Sequence, residues 1–228
     1  MPVFDPLYWL FTIPPLLFSL WAQYRVKSTF THYSKVGVRS GMSGAEAAAA
    51  IVRSSGMQGV SIERHEGFLS DHYDPRAKTL RLSPEVYDGR SISSIAVAAH
   101  EAGHSIQHAT GYAPLALRSK LVPAVQIGQS LYMWPFVIGL ILNMTGLIWL
   151  GVVFFTAVVI FQLVTLPTEI NASSRAKAVL ASTGIATGPD EQAGVAKVLD
   201  AAALTYIAAL IASALQLLYM ILRAQNRR

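Results

Sequence analysis

Residues 146–166 read GLIWLGVVFFTAVVIFQLVTL, twenty-one residues without one ionisable side chain. About 20 apolar residues in a helix cross the hydrocarbon core of a bilayer, so this stretch predicts a membrane helix. Three further stretches have the same character: roughly Val3–Tyr24, Val122–Leu142 and Ala202–Leu222. The first carries Asp5 near its start and Pro14-Pro15 inside, which membrane helices tolerate because neighbours satisfy the freed carbonyls. The last has an Ala-rich first half that would also suit a packed soluble helix, but its apolar length favours a span. Composition agrees: the 228 residues are 53% hydrophobic and 14% charged, against about a quarter charged in soluble domains. Trp9, Trp21, Trp134 and Trp149 read as interface or span residues. No Lys or Arg precedes the first apolar run and no small-residue cleavage site follows it, so it reads as a retained anchor rather than a signal peptide.

The net charge of +5 is better explained by membrane topology than by nucleic-acid binding, and no nucleic-acid partner is expected. Twelve of the 18 Lys and Arg lie between Arg25 and Lys120. Arg175, Lys177 and Lys197 lie between the third and fourth spans, and the Asn143–Thr145 turn has none. Basic residues favour the cytoplasmic side, which places the polar segments there and the N-terminus outside. The tail with Arg223, Arg227 and Arg228 opposes this if the fourth span crosses fully.

The polar module between the first two spans has its own grammar. Ser43-Gly44-Ala45-Glu46 is a capping box, predicting a helix to about Arg53, ended by Gly56. The runs Val60–Arg64, Phe68–Tyr73 and Lys78–Ser83, with the turn signal Asp74-Pro75-Arg76, predict a small antiparallel sheet or meander. A helix should follow from about Ser91 to His108, broken by Gly111. After the third span, Pro167 is expected to start a new helix, roughly Thr168–Thr183, closed by Gly184. Gly188-Pro189-Asp190-Glu191 then opens the helix that leads into the fourth span.

The helix from Ser91 carries His100-Glu101-Ala102-Gly103-His104. Histidines four apart share one helical face and can bind one Zn²⁺. Glu101 can then take a proton from a water whose pKa the metal lowers, which is peptide-hydrolysis chemistry. The apolar Ile95-Ala96-Val97-Ala98-Ala99 run ahead of the motif marks a buried helix. Two histidines and a carboxylate are costly to bury without a partner, and a metal removes that cost. The chain has no cysteine, so the ligands must be His and carboxylate.

A third ligand is needed with an open fourth position. His108 lies a further turn along the same face, but three successive turns spread the ligands over about 11 Å. The position six beyond His104 is Thr110, not histidine. His72 and Glu169 are the other candidates, Glu169 lying just past the end of the third span. Arg175, on the same expected helix as Glu169, is a candidate to stabilise a developing oxyanion. Tyr73 or His72 could do the same from a loop. Lys78–Ser83 is either an edge that pairs with an extended substrate or an internal strand. About a dozen residues separate the motif helix from the second span, which argues for a site at the membrane surface rather than inside the bilayer. The near absence of ionisable residues within the spans argues against a metal transporter.

Several runs together resemble the YugP-like family of bacterial membrane zinc metallopeptidases. They are Ala22-Gln23-Tyr24 with Val26-Lys27-Ser28, Leu69-Ser70-Asp71-His72-Tyr73-Asp74-Pro75-Arg76, Leu80-Arg81-Leu82-Ser83, and Val97-Ala98-Ala99-His100-Glu101-Ala102-Gly103-His104. Leu166-Pro167-Thr168-Glu169 with Ala172-Ser173, and Ala201-Ala202-Ala203-Leu204-Thr205-Tyr206, complete the set. The resemblance implies a mainly α membrane protein of about four transmembrane helices with a small α+β zincin-like module at the membrane surface. It implies an endopeptidase in the bacterial inner (plasma) membrane that holds one Zn²⁺ per chain and acts on protein or peptide substrates, membrane proteins among them. The layout is also similar to HtpX and Ste24-type peptidases, where a later Glu-x-x-x-Asp supplies the third ligand and an aspartate that supports a ligand histidine. Glu169 matches that ligand, whereas Ser173 stands at the aspartate position, and Asn171 is a further candidate for the supporting task. The segments then run 1–24, an N-terminal anchor; 25–121, the module; 122–166, a helical hairpin; 167–200, the segment with the third ligand; and 201–228, the last span and tail. The runner-up reading is a membrane scaffold with a structural zinc site, which would not need a base at Glu101.

Overall fold

The computed structural model describes residues 5–226, so Val3 at the start of the first apolar run and Arg227 and Arg228 of the tail lie outside the described residues. The chain divides into two compact units.

The first unit comprises Met1–Gln23, Pro114–Pro167 and Leu204–Arg228. It is built from α1 (Pro6–Tyr33) before Tyr24, most of α5 (Ala113–Leu131), α6 (Met133–Leu142), the first part of α7 (Thr145–Ser182) and the end of α8 (Pro189–Gln225). Phe136, Ile148, Val152, Phe155, Tyr219 and Met220 form its small core. Its outer faces are apolar too: Leu10, Leu17, Ile127, Trp134, Val153 and Leu163 are all exposed. A water-soluble surface would not gather so many large apolar side chains. Asp5 receives the Leu7 N–H at 3.1 Å, pairs with Arg223 and accepts from the Tyr219 hydroxyl at 3.0 Å. The start of α1 is thereby tied to the end of α8.

Among the described residues, three helices are long and apolar enough to cross a membrane: Ala113–Leu142, Thr145–Ser182 and Pro189–Gln225. The expected fourth, α1, is long enough but is not among them, because its prolines, Tyr8, Trp9 and Trp21 dilute its hydropathy. Pro167 does not start a new helix. α7 runs from Thr145 to Ser182 with Pro167 inside it, because losing one ladder bond costs less than ending a helix packed on both sides of the proline.

The second unit comprises Tyr24–Ala113 and Thr168–Ala203. α2 (Gly44–Ser54) begins at the expected capping box, with both reciprocal bonds between Ser43 and Glu46 formed. Three strands follow, β1 (Ser61–Arg64), β2 (His72–Asp74) and β3 (Thr79–Leu82), then the short α3 (Pro84–Tyr87) and α4 (Ile92–Ala109). The sheet is mixed, in the order β1-β3-β2. β1 pairs with β3 in parallel, and only β2 pairs with it antiparallel. This corrects the expected antiparallel meander, and β3 is the central strand rather than an edge. The Leu80 and Leu82 side chains of β3 pack with Ile51 of α2, Ile95 and Ala99 of α4, and Leu180 of α7. That core holds α4 and the end of α7 side by side.

Candidate metal centre

α4 starts at Ser91, whose side chain accepts from the Ser94 N–H. Its buried face runs through Ile95, Ala98, Ala99 and Ala102, at the spacing that places residues three and four apart on one side of a helix. His100, Glu101 and His104 lie along this helix, and Glu101 and His104 are buried.

Glu169 comes from α7, beyond the apolar part of that helix, and is 2% exposed. One of its carboxylate oxygens, Oε2, lies 3.1 Å from His100 Nε2 and 3.4 Å from His104 Nε2. The two imidazoles meet edge to face, with centroids 4.8 Å apart. The three ligand atoms lie within 4.8 Å of one another. Tetrahedral zinc holds its ligands at about 2.0–2.1 Å, which sets neighbouring donors about 3.3 Å apart. Both nitrogen–oxygen separations match that spacing, and two imidazoles with a carboxylate suit zinc.

The approach of the two helices depends on Gly103. A Cβ added there would lie 2.5 Å from the Ala172 carbonyl oxygen on α7. Gly103→Ala is therefore expected to destabilise the protein by about 1–3 kcal/mol and to push Glu169 away from the histidines. Thermal unfolding and zinc content would both fall. An unchanged melting temperature with full zinc would show that the helices have room.

The histidines are oriented from behind. Ser173 Oγ lies 3.1 Å from His100 Nδ1, so the serine at the expected aspartate position still reaches a ligand histidine. His104 Nδ1 lies 3.0 Å from Gln107 Oε1. Asn171 touches neither ring and instead accepts from Gln107 at 3.0 Å and from Arg175 at 2.8 Å. The Arg175 guanidinium also sits over the Tyr112 ring. The Tyr73 hydroxyl bonds His108 Nδ1 at 2.9 Å, and His72 Nδ1 lies 2.9 Å from the Ser70 carbonyl. Neither histidine joins the His100–His104–Glu169 group. Gln107 and Gly103 carried no signal of their own in the sequence, since a buried glutamine and a helical glycine are ordinary until their neighbours are known.

The electrostatics favour a cation. Burial alone would raise the Glu169 carboxyl, but its contacts with His100 and His104 hold it well below the usual carboxylate range. Burial alone would lower His104; the carboxylates of Glu169 and Glu101, with Gln107, raise it above the ordinary imidazole value. Asp71 is pushed up by burial and by the Glu101 charge, although Ser83 donates to it from both its N–H and its hydroxyl. Both shifts favour a protonated His104 beside an ionised Glu169. Above the raised pKa of His104 zinc displaces no proton from it. Below that pKa it displaces one, so apparent zinc affinity should weaken ~10-fold per pH unit. Proton release measured by calorimetry over a pH series in buffers of different ionisation enthalpy checks this, and release that does not grow as the pH falls would contradict it.

The chain matches, over residues 8–225, the family described as "Putative neutral zinc metallopeptidase". It is 48% identical over 217 residues, 95% of this chain and 96% of the relative, to the "Putative membrane protease YugP" of Bacillus subtilis (strain 168). No solved structure matches it significantly.

Proposed function

The chain belongs to the neutral zinc metallopeptidase family, and from that premise we propose that it is a membrane zinc endopeptidase. His100, His104 and Glu169 hold one zinc ion, and Glu101 is the general base. The observation that carries this reading is the meeting of both Nε2 atoms with Glu169 Oε2 at the spacing of tetrahedral zinc ligands. Zinc held by such a set lowers the pKa of a water and polarises a carbonyl. Glu101, next in sequence to His100 and buried, takes the proton from the attacking water and returns it to the departing amine. A structural site would need no carboxylate in that position, and its charge would be a cost.

Substrates are protein or peptide segments bound in extended form, including those of membrane proteins. With β3 in the centre of the sheet, the free edges are β1 and β2, and β2 packs against α4. We assign strand addition to β2; of the two readings open for Lys78–Ser83, the internal strand is the one the sheet order supports. The bilayer is the other partner.

The exposed Leu10, Leu16, Leu17 and Leu20 on α1 support a fourth membrane segment in a multi-pass protein of the bacterial inner (plasma) membrane. The basic residues of the Tyr24–Ala113 and Thr168–Ala203 segments support a site on the cytoplasmic side. Arg223, which opposed that orientation, is paired with Asp5 and counts less as a free cation.

The test is hydrolysis of an unfolded polypeptide by the full chain in detergent, with zinc content measured before chelation, after it and after zinc is returned. Cleavage that is lost with the metal and restored with it is the expected result. Stoichiometric zinc without cleavage of unfolded or membrane-anchored polypeptides would favour the scaffold reading, and a chain that takes up no zinc would end both.

A further inference from the structure

The ring nitrogens that face away from Glu169 have partners of different kinds. Ser173, behind His100, offers a hydroxyl, which can donate or accept. Gln107, behind His104, offers an amide, and the neighbours of that amide decide which end faces the ring. The end away from His104 lies 2.8 Å from the Thr168 main-chain oxygen and 3.0 Å from Asn171 Oδ1. A carbonyl oxygen only accepts, so this end is the NH₂ group. The Asn171 amide is fixed in the same way. Arg175 Nε approaches it at 2.8 Å, and a guanidinium only donates, so the atom between Arg175 and Gln107 is an oxygen. Both constraints leave the Gln107 oxygen facing His104 Nδ1 at 3.0 Å. Gln107 is fully buried, at 0% exposure, so bulk water offers no substitute partner if the amide turns over.

We propose that Gln107 is a positioning residue that locks His104 in the Nδ1–H tautomer, with the Thr168 carbonyl and the Asn171–Arg175 pair as its anchors. This rests on the reading of His104 and Glu169 as metal ligands only for its consequence, not for the tautomer itself. The consequence is geometric. A neutral His104 with its hydrogen on Nδ1 turns an Nε2 lone pair toward Glu169 Oε2, 3.4 Å away. Two acceptors face each other, and only a cation relieves that contact: a proton in the metal-free protein, zinc in the loaded one. Arg175 then serves the site through Asn171 and Gln107 rather than through the substrate. Thr168, Glu169, Asn171 and Ser173 are placed by one stretch of α7, so the segment that supplies the third ligand also orients both histidines.

The experiment is ¹⁵N NMR of histidine-labelled full chain in detergent micelles, metal-free at a pH where His104 is neutral, and again with zinc. A pyrrole-type Nδ1 and a pyridine-type Nε2 on His104 are expected without metal, and a shift confined to Nε2 with it. Gln107→Leu should mix the tautomers and weaken zinc binding roughly 10–100-fold. A wild-type His104 protonated on Nε2 would overturn the proposal, needing no variant to fold. So would a Gln107→Leu chain with wild-type tautomer and affinity. A wild type that shows the Nδ1–H tautomer but takes up no zinc would uphold the role of Gln107 and reject the metal reading, so the two fail separately.

Discussion

Glu101→Gln should bind zinc as the wild type does and cleave peptide bonds about 10²–10⁴-fold more slowly, the range for loss of a general base. The reason lies in what each residue on α4 can reach. His100 and His104 turn Nε2 toward Glu169, whereas Glu101 is outside that group of ligand atoms. Glutamine has the same shape and keeps a carbonyl oxygen but cannot hold the proton, so the metal set is untouched while proton transfer is lost. Removing the charge relieves repulsion with Asp71 and forfeits attraction to His104, so the two effects offset and the variant should unfold near the wild-type temperature. A loss of kcat with retained zinc and undiminished stability separates catalysis from folding. Activity equal to wild type would mean that cleavage does not come from this site.

Glu169→Ala should lose zinc and activity together. Zinc affinities of about 10–16 kcal/mol are shared among four ligands in structural sites, so one ligand is worth roughly 3–4 kcal/mol, or about 10²–10³-fold in affinity. The substitution also leaves the partly buried His100 and the buried His104 without the carboxylate that both face. Metal analysis and hydrolysis of an unfolded polypeptide on the same preparation give the result. Full zinc in Glu169→Ala would place the third ligand elsewhere. His108 and His72 would then have to leave their present partners, the Tyr73 hydroxyl and the Ser70 carbonyl.

How much of this was legible depended on the range of the interactions involved. The Ser43–Glu46 capping box was readable and formed as read, because both of its bonds close within three residues. The helix that carries the motif was readable to within a residue of its observed ends. The sheet was not: a parallel β1–β3 pair joins strands with β2 between them in sequence, and alternation within a run says nothing about which run lies beside it. Pro167 was misleading for a related reason. A proline signal is local, whereas the helix through it is held by packing along its length. Ser173 was readable as a departure from an acidic pattern, but its contact with His100 could only be seen in place.

By itself, then, the sequence determined the features that neighbours within about four residues control: apolar runs long enough for a bilayer, and two histidines one turn apart with a glutamate beside the first. The tertiary structure alone decided that Glu169, 69 residues from His100, meets both imidazoles and that Gln107 faces His104 with its oxygen. The physical reason is the contact between α4 and α7. Gly103 lets the two backbones approach, a shared core holds them there, and each buried polar group then has only the partner that this packing provides.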